Sequence, residues 1–158
     1  MKTKHFIIAI LCLLCANMGF AQNKLFDKYA DMDGVTSIYI SKAMFQMISG
    51  MNMKNDIKGI DLESMKGKIE SLQLVSTGKK DKVDQMKKEF PQLITTRHEE
   101  LMRMKEDDTN VRIYSLTQGD MVKELVLLVE DNDSFTAILL NGNFTLKDVQ
   151  SIVDQGMK

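Results

Sequence analysis

The fold is decided by residues 99–141, which read EELMRMKEDDTNVRIYSLTQGDMVKELVLLVEDNDSFTAILLN. Four stretches with strand-like composition, 99–105, 110–117, 122–130 and 134–141, are separated by short polar turns. The turns are built from Asp, Asn, Gly and Thr, whose side chains bond their own backbone or which tolerate left-handed conformations. Because turns and not helices connect the stretches, the pattern predicts a meander of antiparallel strands.

Two of these stretches need separate comment. Residues 99–105 consist of good helix formers, so both a helix and a strand are open for them. We predict a strand, because the acidic turn 106–109 leads directly into the alternating residues 110–114, which need an antiparallel neighbour. Residues 125–129 are apolar on both faces, which predicts a strand in the middle of the sheet with other elements packed on each side.

The first half of the chain alternates between helical and strand patterns. A short opening helix carries Leu25, Phe26 and Tyr29 on one side and ends at the turn 31–34. Residues 35–40 follow as a β-branched strand.

Ser41 is placed to cap a helix whose apolar side includes Ile48. Residues 52–67 have no clean period and are interpreted as a loop with one possible turn of helix. Residues 69–76 alternate as a half-buried strand, with Leu72 and Leu74 on one face.

Two further helices complete the pattern. Val83, Met86 and Phe90 repeat at helical spacing in an amphipathic helix that stops near Pro91. At the C-terminal end, Thr145 and Asp148 form a capping-box pattern. It opens a last helix whose inward residues are Leu146, Val149, Ile152 and Val153, with Gly156 beyond its end. The predicted class is α+β, with a mixed, largely antiparallel sheet of order β-α-β-α, then a β-meander and a C-terminal helix, and with helices packed on the sheet.

The first 21 residues have the pattern of an export signal. Lys2 and Lys4 precede an apolar run, and Gly19 and Ala21 are the small residues that signal peptidase recognises, so we expect cleavage after Ala21. The apolar run is shorter than the ~20 residues that a transmembrane helix needs. The expected product is a single periplasmic or secreted domain, 22–158. A lipoprotein anchored at Cys15 is the alternative.

The charge of the chain argues against nucleic acid as a partner. Without residues 1–21, 19 Lys and Arg stand against 22 Asp and Glu, which is a net charge of −3. The sequence leaves the oligomeric state open.

Catalytic patterns are weak throughout the sequence. His98 is the single histidine after residue 21, and its polar surroundings predict a solvated surface histidine and not a catalytic base. Asp31-Met32-Asp33-Gly34 lacks the further ligand positions of a calcium loop and is interpreted as a turn. A hydrolase with dispersed carboxylates stays open, because paired acids need not be close in sequence. No cofactor is indicated.

Methionine is the unusual feature of the composition, with 11 of 13 methionines beyond residue 21. Met44, Met47, Met51 and Met53 place thioethers at spacings that could hold copper(I). The alternative is core packing, since Met44, Met47 and Met51 share a helical stripe with Ile48.

Four stretches together carry a resemblance: VTSIYIS at 35–41, EELMR at 99–103, NVRIY at 110–114 and ELVLLV at 124–129. With this order of elements, the chain resembles the small exported proteins of Bacteroides-type bacteria catalogued as domain of unknown function 4252. The resemblance covers nearly all of 22–158. It implies an envelope protein of a Gram-negative anaerobe with no assigned activity and no catalytic residues to carry over. Many relatives look like lipoproteins, whereas this chain lacks a good lipobox.

The leading hypothesis is a non-enzymatic envelope domain that binds another protein, in stress sensing or signalling. The alternatives are a small-ligand or copper(I) carrier and the hydrolase. A concave pocket would be the observation that separates small-molecule binding from docking of a partner.

Overall fold

The computed structural model of the protein describes residues 20–50 and 67–150, with side chains over 24–47 and 67–150. In chain order the elements are α1 (Phe20–Ala30), β1 (Val35–Ser41), α2 (Lys42–Gly50), β2 (Ile69–Thr77), α3 (Lys80–Glu89), a 3-10 helix (Phe90–Leu93), β3 (His98–Glu106), β4 (Thr109–Gln118), β5 (Met121–Glu130) and β6 (Phe135–Phe144). A further helix, α4, starts at residue 146 and is described as far as residue 150. The predicted α+β class is confirmed.

The six strands form one sheet in the order β1-β2-β6-β5-β4-β3. All five neighbouring pairs are antiparallel. β5 has a strand on each side, as its apolar sequence predicts. Among the described strands, β1 and β3 are the two edges of the sheet.

Residues 98–106 are a strand and not a helix, although their composition favours a helix. The register with β4 runs from His98 opposite Leu116 to Glu106 opposite Thr109. The connecting turn contains Asp107 at a φ of 49°, a left-handed conformation that Asp tolerates better than most residues. Tertiary pairing therefore overrides the local helix propensity.

The main core lies between the sheet and the two helices α1 and α3. Phe90 is at its centre, and its ring centroid lies 5.3 Å from Phe26, 5.2 Å from Tyr29 and 5.5 Å from Phe135. Val83 and Met86 of α3 are fully buried beside these rings, which confirms the predicted apolar stripe of this helix. Burial of one such large side chain contributes roughly 1.5–3 kcal/mol, so this layer fixes α1 and α3 on the sheet.

A second, smaller cluster includes Leu125, whose side chain points away from that of its neighbour Val126. Val149 of α4 and Phe45 of α2 pack there. Val149 is buried as predicted, whereas Leu146 is exposed, so its predicted inward position is wrong. Leu146 is the first residue of α4, and the helix turns its apolar side toward the sheet only at Val149. The predicted positions of Ile152, Val153 and Gly156, and nearly all of the predicted loop 52–67, lie outside the described residues.

The predicted capping box at the start of α4 is present. The Thr145 N–H donates to Asp148 Oδ2 at 2.8 Å, and the Asp148 N–H donates to Thr145 Oγ1 at 3.3 Å. Asp148 also pairs with Lys68, with 2.7 Å between Nζ and Oδ1. The Lys68 ammonium and the Thr145 N–H hold the pKa of Asp148 at about 2, below its ordinary 3.8.

This pKa shift predicts a stability loss in acid. Because the folded-state pKa of Asp148 is depressed, its contribution of about 1–2 kcal/mol is complete above about pH 4 and is lost as the pH falls toward 2. We expect Asp148→Asn to lower the free energy of unfolding at neutral pH and to flatten its pH dependence between these values. Urea titrations between about pH 4 and pH 2 measure this free energy of unfolding, with Asp120→Asn in an exposed turn as the control. An unchanged acid slope in Asp148→Asn would contradict the assignment.

Candidate functional site

Strand β1 is an exposed sheet edge without a charged residue. Its sequence, VTSIYIS, is rich in β-branched and aromatic side chains. At its middle, Ile38 is 44% and Tyr39 is 64% exposed. Such an edge presents a row of backbone N–H and C=O groups to which another strand can pair. Natural proteins usually protect long, apolar edges of this kind, so its exposure here calls for a function.

The opposite edge, β3, carries that protection. Its nine residues, HEELMRMKE, include five Lys, Arg or Glu side chains. Arg103 Nη2 donates to Glu100 Oε2 at 2.8 Å, so the charges are organised along the strand. A register irregularity between Glu100 and Met102 further disturbs the edge. Charges and bulges prevent the addition of another strand, and β1 has no charged residue.

A groove of about 290 Å³ lies beside β1, on the face of the sheet that α1 covers. Phe26 and Asp27 of α1 form one wall, and Tyr39 of β1 and Gln73 of β2 form part of the other. Gln73 Oε1 is buried and accepts no hydrogen bond from the described part of the chain. Asp27 is the single ionisable carboxylate of the lining. Because Tyr39 belongs to both the groove and the edge, the two form one continuous surface.

The α1 wall of the groove is anchored to α3. Lys28 Nζ lies 2.7 Å from Glu89 Oε2, and Gln85 donates to Glu89 Oε1 at 3.1 Å. The Lys28 ammonium lowers the pKa of Glu89. Burial, together with the nearby Glu89 carboxylate, raises the pKa of Tyr29, which keeps that phenol neutral. These contacts hold α1 in place independently of the groove.

His98 is buried, which makes the predicted solvated histidine wrong. Its side chain is 1% exposed and its Nε2 lies 2.9 Å from Oε1 of Glu124, which is 8% exposed. The Thr95 N–H donates to His98 Nδ1 at 3.0 Å, so the ring proton is on Nε2 and donates to the carboxylate. His98 on β3 and Glu124 on β5 both lie opposite Leu116 of the intervening strand β4, on the same face of the sheet. Since water and substrate do not reach this pair, the geometry favours a stabilising role.

Two methionines of the copper hypothesis, Met44 and Met47, do not pack in the core as the alternative interpretation expects. Met44 and Met47 are 49% and 65% exposed on α2. Phe45 of the same helix packs against the second core cluster instead. Ser41 caps this helix as predicted, accepting the Met44 N–H at 3.3 Å. Met51 and Met53 lie outside the described residues.

Other predicted positions behave as structural elements. Residues 31–34 form the turn before β1, with Gly34 at a φ of 78°. Over residues 20–50 and 67–150, no cluster of three His, Cys, Asp or Glu side chains is arranged to hold a metal ion. In the same ranges, no helix combines the length and apolar character needed to cross a membrane.

Sequence reasoning missed Asp27, Gln73 and Glu124. Glu124 had a signal, because it is the only acidic residue inside the apolar run of β5 and such a residue needs a buried partner. The absence of charge in VTSIYIS could also be read from the sequence. The position of this strand at an edge of the sheet could not, because strand order depends on long-range pairing.

Comparison with known protein families gives a match. The model of the family described as a domain of unknown function matches residues 29–152, which include all six strands and α3. Neither the curated proteins nor the solved structures contain a match to this chain. The matched region covers most of the chain, and it follows the order of elements that the sequence pattern indicated. The protein therefore belongs to the family catalogued as domain of unknown function 4252.

Proposed function

We propose that this chain is an exported, non-enzymatic protein-binding domain that takes a strand of its partner onto β1. The observation that carries the proposal is the difference between the two edges of one sheet. β3 is charged and irregular, whereas β1 is uncharged, regular and exposed at Ile38 and Tyr39. A difference of this kind is expected when one edge is kept available and the other is blocked.

Strand addition would use the backbone for affinity and the groove for selection. An added strand pairs its N–H and C=O groups with those of β1, and its alternate side chains point to the two faces of the sheet. Those on the helix-covered side would meet Tyr39 and Phe26 in the groove. Asp27, the exposed carboxylate of the lining, supplies an acceptor there for a donor group of the partner. The role in sensing or signalling that the sequence suggested would act through this partner.

The two other functions that the sequence left open have less support. For copper(I), exposed Met44 and Met47 provide two thioethers one helical turn apart, and the remaining candidates lie outside the described residues. For the hydrolase, the groove provides one carboxylate, Asp27, whereas the mechanism needs a pair. The protein-binding proposal alone uses both the edge and the groove.

Site-specific photo-crosslinking in cells tests the proposed edge. With p-benzoylphenylalanine in place of Tyr39, we expect a discrete protein adduct. The same group in place of Leu101, an exposed apolar residue on β3, is the matched control and should give none. Adding Ile38→Lys to the Tyr39 probe should reduce the adduct at least tenfold, since a lysine at a sheet edge opposes strand pairing. Equal labelling at both edges, or none at Tyr39, would overturn the proposal.

A further inference from the structure

We infer that the partner strand that fits β1 is β1 of a second copy of this chain, paired antiparallel about a two-fold axis. The inference rests on the proposed function and names the partner for the same edge. A two-fold pairing is self-complementary, so each side chain must tolerate its symmetry-related counterpart. For a strand of seven residues, Val35–Ser41, complete overlap places the axis at its midpoint, Ile38.

The side chains satisfy this register. Ile38 faces Ile38 of the second copy, Thr36 faces Ile40, and Ser37 faces Tyr39. Residues directly opposite in an antiparallel pair point to the same face, so both sheets continue across the axis with matching faces. β-branched and aromatic cross-strand pairs stabilise such a ladder. Because β1 contains no charge, the symmetry brings no like charges together.

The charges that flank β1 complement each other in the same register. Asp33 lies two residues before the strand and Lys42 directly after it, and both are exposed. Antiparallel overlap centred on Ile38 brings the turn that precedes β1 in one copy to the start of α2 in the other. The exposed Asp33 of that turn and the exposed Lys42 of that helix start then lie at the same end of the paired strands, and the two-fold axis places these opposite charges together twice.

The pairing would also continue the apolar surface of the sheet. Ile38 and Ile40 lie in register with Leu74 and Leu72 of β2, on the face opposite α1. In the paired sheet, Ile38 and Leu74 join Ile38 and Leu74 of the second copy across the axis in one apolar band. Burial of exposed Ile38 at the axis contributes apolar surface to the association.

Disulfide trapping tests the axis directly. With Cys12 and Cys15 replaced by serine, Ile38→Cys introduces the single thiol of the chain. Opposite residues at the axis of an antiparallel pair are within disulfide reach, so oxidation should give a covalent dimer that reduction reverses. Leu101→Cys on β3 is the matched control and should stay monomeric. No dimer from Ile38→Cys, or equal dimer from both variants, would overturn the inference.

Charge reversal tests the register in solution by sedimentation equilibrium of the full chain. Asp33→Lys or Lys42→Asp alone should weaken dimerisation roughly two- to tenfold, because each variant breaks two symmetry-related ion pairs. The double swap Asp33→Lys/Lys42→Asp should restore it. A monomer at every concentration, or a swap as weak as its single variants, overturns the second-copy inference.

The crosslinking probe at Tyr39 separates the two proposals. If it labels a different protein while the purified chain stays monomeric, the second-copy inference fails and strand addition at β1 stands. If it labels nothing, both fail. An adduct of twice the mass of the chain, lost in Ile38→Lys, supports both.

Discussion

Alanine at position 142 is expected to destabilise the fold by roughly 3 kcal/mol or more, a large part of the stability of an ordinary domain. Gly142 lies in β6 where Lys68 crosses it. A Cβ there would collide with the Lys68 carbonyl oxygen and lie 2.6 Å from Cζ of Phe144. That carbonyl is fixed, because it accepts the Asn143 N–H at 2.8 Å, and the Phe144 ring is fully buried. Neither neighbour can move without opening the second core cluster.

Urea denaturation of the full chain measures this loss, and a second glycine provides the control. A Cβ on Gly78 would lie 3.6 Å from the Asp133 carbonyl oxygen, which is an ordinary contact. Gly78→Ala should therefore be neutral or stabilise by a few tenths of a kcal/mol, roughly, through the unfolded chain. Equal effects of Gly142→Ala and Gly78→Ala would show that the close approach at Lys68 is incorrect.

Loss of either member of the His98–Glu124 pair is expected to cost about 3 kcal/mol or more. The pair is almost completely buried, and its 2.9 Å contact compensates the carboxylate for the loss of water. His98→Ala removes that donor, and Glu124→Ala removes the acceptor of a buried N–H. Glu124→Gln keeps an oxygen acceptor and the side-chain volume, so it should retain more stability than Glu124→Ala.

A double variant separates this electrostatic cost from a packing cost. When both partners become apolar, neither the imidazole N–H nor the carboxylate is left buried without the other, so His98→Leu/Glu124→Leu should be more stable than Glu124→Leu alone. Chemical denaturation gives all the free energies, and Glu130→Ala at the end of the same strand should change stability by less than about 0.5 kcal/mol. Additive losses in the double variant would contradict a coupled pair.

The sequence predicted those elements whose signals are local. The acidic turn at 106–109, the apolar run 125–129 and the Thr145–Asp148 box each depend on a few neighbouring residues, and each is present as expected. Ser41 is a cap for the same reason. The apolar stripe of α3 was readable because Val83 and Met86 repeat at the helical period.

The faces of the elements were predicted less well, because burial depends on what lies across from each residue. Met44 and Met47 fit an apolar stripe, yet they face solvent on α2 while Phe45 packs inward. On β2, Leu72 and Leu74 are half-buried and Val75, on the opposite face, is fully buried beneath the helices. Periodicity assigns residues to two faces, but it does not say which face a neighbour will cover.

The candidate site was the least predictable part. β1 was recognised as a strand from its composition, but its exposure follows from a sheet order in which β6 and not β1 occupies the middle. The partner of His98 lies 26 residues away, on a strand two positions across the sheet. No local pattern contains such a pairing.

The central position of β6 determines when the sheet can be completed. Among the described strands, β6 is the last in sequence and alone joins β2 to β5, so the β1–β2 unit and the β3–β4–β5 unit stay separate until β6 has been synthesised. Until then β2 and β5 each have one open, apolar side, which is the kind of surface that chaperones bind and that aggregates form from. A ribosome that stalls before residue 144 would release such an intermediate, so we expect the described sheet to close only after β6 has been synthesised.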